Sequence, residues 1–143
     1  MINGVSDDRY EPERSITRAE FTAIAMRFAK LPTGGKNIFS DVTERDWFYD
    51  VVVGSIQYGW INGYSDGTFR PNATITRAEV TAITNRMLGR SADTAYVDEH
   101  VDELRLFPDV EKSHWAYYPI VEATNAHNCA KADGTETWIA TNK

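Results

Sequence analysis

The sequence predicts a mainly all-α protein assembled from repeated helix-loop-helix modules. Three observations carry that prediction. Ile2 to Ile24 (INGVSDDRYEPERSITRAEFTAI) lies over Ile61 to Ile83 (INGYSDGTFRPNATITRAEVTAI) without a gap, and 14 of the 23 positions are identical. A second echo has an offset of 68: Phe39-Ser40-Asp41-Val42 followed by Trp47 recurs as Phe107-Pro108-Asp109-Val110 followed by Trp115. In both echoes the apolar residues fall at helical spacing. Self-similarity at such periods sets the architecture before any single motif is weighed, because each unit is incomplete until it packs on a neighbour.

The unit has two halves, FxDV…W and then GYSDGTFxPxxxITRAE. Along the chain they run as the second half of module 1 (residues 1–37), a complete module 2 (38–90) and a divergent, incomplete module 3 (91–143). In module 2, Asp46 is placed to cap a first helix whose stripe is Phe48, Val51, Val52 and Ile56, and Gly59 stops it. A turn-rich loop follows, Asn62-Gly63-Tyr64-Ser65-Asp66-Gly67, then Phe69 and Pro71. A second helix starts at Thr76 with Val80, Ile83 and Met87 on one face, matched in the first copy by Phe21, Ile24 and Phe28, and Gly89 ends it. In module 3, His114 takes the cap position, Trp115, Ile120 and Ala123 continue the pattern, and Pro119 is tolerable in the first turn. Lys30 to Ile38 reads as a short loop with Pro32, Gly34 and Gly35. Ser91 to Leu106 reads as a short extra helix, with Val97, Val101 and Leu104 as its stripe.

Composition narrows the function. The chain has 143 residues, enough for one domain without staples, and its net charge of −6 argues against a general nucleic-acid role, which needs a basic face. An anionic ligand at a local basic pocket stays open. No apolar run reaches the roughly 18 residues of a membrane span. The first residues, MINGVSDDRYEPER, have no apolar secretion core, so an export signal for the parent protein is expected upstream of this piece. The single cysteine, Cys129, excludes an internal disulfide and reads as a small buried apolar residue.

Thr17-Arg18-Ala19-Glu20 and Thr76-Arg77-Ala78-Glu79 each fit a capping box, in which the threonine oxygen accepts from the N3 amide and the glutamate reaches back to the cap amide. The arginine needs another reason, because a cation in the first helical turn opposes the helix dipole. An arginine fork beside helix N-terminal amides makes a carboxylate or phosphate site. The alternative is a solvated arginine or one paired with a nearby aspartate.

In order and spacing, FSDV…W, INGYSDGTFRPN and ITRAE resemble the S-layer homology (SLH) module, over nearly the whole chain. The resemblance implies three modules packed as a pseudo-threefold helical bundle. Its inter-module grooves hold secondary cell-wall polysaccharide, often carrying pyruvate ketals, and so anchor exported proteins to the bacterial surface. It implies that Arg18 and Arg77 engage a ligand carboxylate, and that Gly63 and Tyr64 line a groove with Trp47 or Trp115. The first copy departs from the family pattern at Val5, for the tyrosine, and Asp8, for the glycine, which implies a weaker half-groove there. After Cys129 the chain reads AKADGTETWIATNK, where Asp133-Gly134-Thr135 parallels Asp66-Gly67-Thr68 but no ITRAE follows, so a third equivalent site is not expected. Two arrangements of the outer halves stay open, a fragment of a longer protein and a composite unit; the fragment is favoured.

The remaining polar and aromatic residues have two readings each. Trp47 and Trp115 suit either core packing or sugar stacking. Trp60 and Trp138 read as packing, and Asp41 and Asp109 as caps or turn formers. Asp7 and Asp66 read either as loop residues or as groups that orient the arginine or the ligand. Placing Gly67 at the glycine of an EF-hand loop puts Ala73 where a bidentate glutamate is required, so a calcium loop fails. His100, His114 and His127 share no metal-ligand spacing along the chain, and no nucleophile elbow or phosphate loop appears. Glu20 and Glu79 are capping partners before they are a hydrolytic pair. The expectation is a non-catalytic domain with no metal and no cofactor, binding an acidic cell-wall glycan. The rivals are a protein assembly module using the incomplete terminal modules, and binding to peptidoglycan or its cationic substituents.

Overall fold

The computed structural model describes residues 11–30, 35–132 and 135–142. Val5, Asp7, Asp8, Pro32, Gly34, Asp133 and Gly134, each given a reading above, lie outside the described residues. Among the described residues five helices are followed by one β-hairpin: α1 Arg18–Met26, α2 Tyr49–Gln57, α3 Arg77–Met87, α4 Thr94–Glu99, α5 Tyr117–Thr124, β1 His127–Ala132 and β2 Thr135–Thr141. Helix predominates, as expected, and the hairpin is the element that the repeat pattern did not foretell. The chain divides into two compact units, Met1–Ile75 and Thr76–Lys143. Each unit therefore joins an ITRAE helix from one repeat to the tryptophan-bearing helix of the next.

In the first unit α1 packs against α2. Helix α1 begins where Thr17 accepts from the Glu20 amide and Glu20 returns a carboxylate to the Thr17 amide, the expected capping box. Its buried residues Ala19, Thr22, Ala25 and Met26 share one face. From α2 and the flanking chain come Val52, Val53, Phe39, Val42, Phe48, Ile61 and Phe69, all buried. Burying a side chain of Val or Phe size is worth about 1.5–3 kcal/mol each, so this apolar set holds the unit.

Two cap expectations are corrected. Asp46 does not cap α2: its Oδ2 accepts from the amide (2.7 Å) and hydroxyl (2.9 Å) of Thr43, and the N-cap is Phe48. His114 occupies the matching place before α5. It takes the Ala116 amide on Nδ1 at 3.1 Å, and Ala116 is the N-cap. Each aspartate or histidine closes a tight turn one step before its helix. That turn recurs between the copies, with Tyr49 N donating to Asp46 O at 3.0 Å and Tyr117 N to His114 O at 2.9 Å. Gly59 and Gly89 follow α2 and α3 with positive φ, as a helix stop requires.

In the second unit α3 carries the second capping box, between Thr76 and Glu79, and packs against α5, with Asn85 Nδ2 donating to Pro119 O at 2.8 Å. The extra helix forms as α4, shorter than its predicted stretch. Val97 is fully buried and Leu104 reaches the same core from beyond the helix end, whereas Val101 is exposed. That core is Val97, Leu104, Tyr117, Val121 and Trp138. Trp138 comes from the hairpin, whose strands pair antiparallel with an irregularity between Asn128 and Cys129. Along β2, Glu136 and Trp138 alternate inward with exposed neighbours, the period of a half-buried strand. No helix among the described residues is long and apolar enough to cross a membrane.

Candidate functional site

The first unit brings together Arg18, Gly63, Tyr64 and Asp66, four of the residues singled out above. Just before α1, Thr17 bridges Thr74, the Arg18 amide donates to Ala73 O at 2.9 Å and the Ala19 amide to Pro71 O at 3.0 Å. The first amides of α1 thus hold the segment that follows the NGYSDG loop. Sequence reasoning offered these amides, with Arg18, as one possible anion site; here the amides of Arg18 and Ala19 are engaged by backbone carbonyls.

Arg18 is 5% exposed. Its Nε donates to Phe69 O at 2.8 Å and its Nη2 to Asn62 O at 3.3 Å, and the guanidinium carbon lies 4.9 Å from the Tyr64 ring centre and 5.0 Å from that of Phe69. A first-turn cation that opposes the helix dipole is retained because it ties two carbonyls and two rings of the loop to α1.

The loop itself is tightly built. Tyr64 N donates to Thr68 O at 2.8 Å and Gly67 N to Tyr64 O at 3.0 Å, with Gly67 at φ +78. Asp41, 28 residues away, accepts the amides of Phe69 on Oδ1 (2.7 Å) and Arg70 on Oδ2 (2.8 Å). It is therefore a latch on the loop, a role no local pattern discloses. Arg70 adopts φ +58, and Glu11, its counterpart in the first copy, φ +57, so the same left-handed kink precedes Pro71 and Pro12.

Arg70 is the residue that sequence reasoning missed. Its guanidinium lies 3.9 Å from the Tyr64 ring centre and pairs with Asp66 at 2.9 Å. The available signal was the i,i+4 spacing of Asp66 and Arg70. Asp66 accepts from the Thr68 hydroxyl at 2.6 Å and amide at 3.0 Å. The Thr68 hydroxyl, followed by Arg70, holds its carboxyl down to about 2. Asp66 therefore orients Arg70. The result is an aromatic ring within cation–π range of two arginines, one buried and one half exposed.

Gly63 has no room for a side chain. A Cβ there would run into Phe39 Cε1 and sit 2.7 Å from Thr68 O. Gly63→Ala is expected to destabilise the first unit by about 1–3 kcal/mol, the usual cost of overpacking, and to loosen the Tyr64 loop. Urea denaturation checks the first effect, and an unchanged midpoint would refute it.

The other candidates are Trp47, Trp115 and Arg77. Trp47 is 67% exposed and meets Phe48 edge-on at 5.4 Å. Trp115 is 58% exposed beside His114. Both sit just before their helices and project from the core. Arg77 is exposed at the start of α3, in the second unit. Trp60, half-buried, stacks on Tyr58 at 4.8 Å, in keeping with a packing role. In the second unit, hairpin formation gathers His127, Cys129 and Glu136, which no spacing along the sequence had linked. Cys129 is half-buried, and the Glu136 carboxylate beside it raises its thiol pKa.

Comparison with known proteins gives this arrangement a family. A family model described as the S-layer homology domain matches residues 2–22 and 38–81. The chain is 35% identical over 134 residues to the cellulosome-anchoring protein of Acetivibrio thermocellus, an alignment covering 90% of this chain and 28% of that protein. It is 29% identical over 151 residues to cell surface glycoprotein 1 of the same organism (97% and 6%). It is 34% identical over 125 residues to exoglucanase XynX, also of A. thermocellus (86% and 11%). The chain thus spans about a quarter or less of the length of these relatives. The shared portion recurs in proteins whose names describe different tasks. The chain belongs to the S-layer homology family, the non-catalytic modules that serve anchoring at the bacterial cell envelope.

Proposed function

We propose that this chain anchors its parent protein by binding an acidic secondary cell-wall polysaccharide, with ring carboxylates such as pyruvate ketals as the recognised charge. The binding grooves lie between modules packed about a pseudo-threefold axis. One observation carries the reading: Tyr64 stands within 4.9 Å of the Arg18 guanidinium and 3.9 Å of the Arg70 guanidinium. An aromatic face suits the apolar side of a sugar and a guanidinium fork suits its carboxylate. In this reading Arg70 meets the ligand and Arg18 braces the ring from the core. Gly63 permits the loop's approach, and Asp66 aims Arg70. Arg77 serves a second groove, and the exposed rings of Trp47 and Trp115 stack on sugars. The relative called a cellulosome-anchoring protein supports an anchoring task.

The test is a pull-down on purified cell-wall sacculi before and after extraction of the secondary polymer. Because Arg18 is part of the fold, the informative variants are Tyr64→Ala and Arg70→Ala, with Arg77→Ala for the second groove and circular dichroism as a fold check. Expected results are retention on intact sacculi, loss after extraction, and binding at least about tenfold weaker in Tyr64→Ala plus Arg70→Ala, the scale of one lost charged hot-spot contact. Added salt should weaken binding, less steeply than for a polyelectrolyte ligand. Undiminished binding after both treatments would overturn the glycan reading in favour of peptidoglycan or a protein partner.

A further inference from the structure

The second unit contains a buried polar cluster that the anchoring reading does not use. His127 and Cys129 are alternate residues on the inner face of β1, and Glu136 faces them from β2. One ligand atom from each lies within 4.8 Å of the other two. A fourth donor comes from α5: Glu122 Oε2 is 3.5 Å from His127 Nε2. The side chains of His127, Glu122 and Glu136 are at most 1% exposed.

We propose that this cluster is a binding site for a transition-metal dication of the Zn2+ type, with His127 Nε2, Cys129 Sγ, Glu136 and Glu122 as its ligands. The histidine is set up for the task. Its Nδ1 lies 2.8 Å from Asn125 O, which can only accept, so Nδ1 carries a hydrogen; Nε2 points into the cluster, 2.9 Å from Glu136 Oε1, and is the nitrogen that a metal would take in place of a proton. Trp138 stacks on the imidazole at 3.7 Å and fixes its plane. Mixed sulfur, nitrogen and carboxylate donors select zinc-like ions over calcium or magnesium, which want all-oxygen shells. Bond lengths near 2.0–2.3 Å place tetrahedral ligands roughly 3.3–3.8 Å apart, so the 4.8 Å spread of His127, Cys129 and Glu136 needs to close by about 1–1.5 Å.

Arg90 is the competitor. Its Nη2 lies 2.9 Å from His127 Nε2 and 2.8 Å from Glu122 Oε1. Its Nε is 3.2 Å from Glu136 Oε1, near enough for attraction, yet is buried without a hydrogen bond. The guanidinium therefore balances the carboxylates while its Nε donor stays unsatisfied. Its side chain is 35% exposed, which gives it a way out to water. Ser91 N and Lys131 Nζ also approach Glu136 Oε2, at 3.4 and 3.5 Å. Metal binding releases the thiol proton and any imidazole proton to solvent and moves Arg90 aside. A bound ion would staple the hairpin to α5, because its binding energy adds to folding energy.

The experiment uses the full chain, reduced and chelator-treated, titrated with Co2+ and then Zn2+. Expected is one equivalent of Co2+ with a thiolate-to-cobalt charge-transfer band and four-coordinate visible bands, bleached by Zn2+, and a higher Tm with Zn2+. Cys129→Ser, close in shape and checked for fold by circular dichroism, should lose the charge-transfer band. His127→Ala and Glu136→Gln should each weaken Zn2+ by more than about tenfold, and Arg90→Gln should tighten it. Absence of the band in wild type, or a band and affinity unchanged in both His127→Ala and Glu136→Gln, would overturn the proposal; the second result would mark Cys129 as an isolated thiol.

Discussion

Arg18→Ala is expected to lower the stability of the first unit by about 3 kcal/mol, whereas Arg77→Ala, at the same place in the second repeat, should change stability by no more than about 0.5 kcal/mol. The two arginines sit in identical ITRAE strings, so the contrast isolates what tertiary structure adds. Arg18 is 5% exposed and gives two charged hydrogen bonds to the carbonyls of Phe69 and Asn62. Removing it strands both acceptors and takes a cation from the Tyr64 and Phe69 rings. Each charged hydrogen bond is worth about 1.5–3 kcal/mol, and the two overlap, so their sum is not taken. Arg77 is exposed, and its variant tests ligand binding without a stability penalty. Urea denaturation of the two single variants measures both quantities. Equal midpoints would show that the Arg18 contacts do not hold the loop, and would return Arg18 to a purely ligand-facing role.

This contrast marks where sequence reasoning reaches its limit. Helices α1 and α3, their capping boxes and the glycine stops after α2 and α3 were legible because each depends on neighbours within one or two turns. The approximate places of α2 and α5 were legible for the same reason, through their apolar spacing. Their true N-caps were not: Asp46 and His114 make turns with residues two or three positions away, and the helices start after them. The Asp41 latch on Phe69 and Arg70 spans 28 residues, and the Arg18 bond to Phe69 spans 51. No periodicity reports contacts of that kind. The hairpin had a visible signal, an Asp-Gly dipeptide followed by Thr-Glu-Thr-Trp-Ile-Ala-Thr, whose β-branched and aromatic residues favour a strand. The parallel with Asp66-Gly67-Thr68 favoured a degenerate copy of the NGYSDG loop over a new element. At the site, Tyr64 and Gly63 were found through the family pattern, whereas Arg70 was not, because a surface Asp-Arg pair is ordinarily solvated.

Trp138→Ala should be the most damaging single change in the second unit, costing about 3–5 kcal/mol. Trp138 is 3% exposed and belongs to the core with Val97, Leu104, Tyr117 and Val121. Its ring stacks on His127 at 3.7 Å and lies against Tyr96 at 5.7 Å, while Nε1 donates to Glu122 Oε2 at 3.2 Å. Truncation would open a cavity and leave a buried carboxylate short of a donor, two costs that add. The consequence is architectural. If the hairpin replaces the missing half of the third repeat as the lid on α4 and α5, then removing residues 127–143 should unfold the second unit much as Trp138→Ala does. Hydrogen exchange should then show lost protection in α4 and α5. A truncated chain that keeps native protection in those helices would instead make the hairpin an appendage. In that case the loss in Trp138→Ala would have to come from strain in a hairpin the unit does not need.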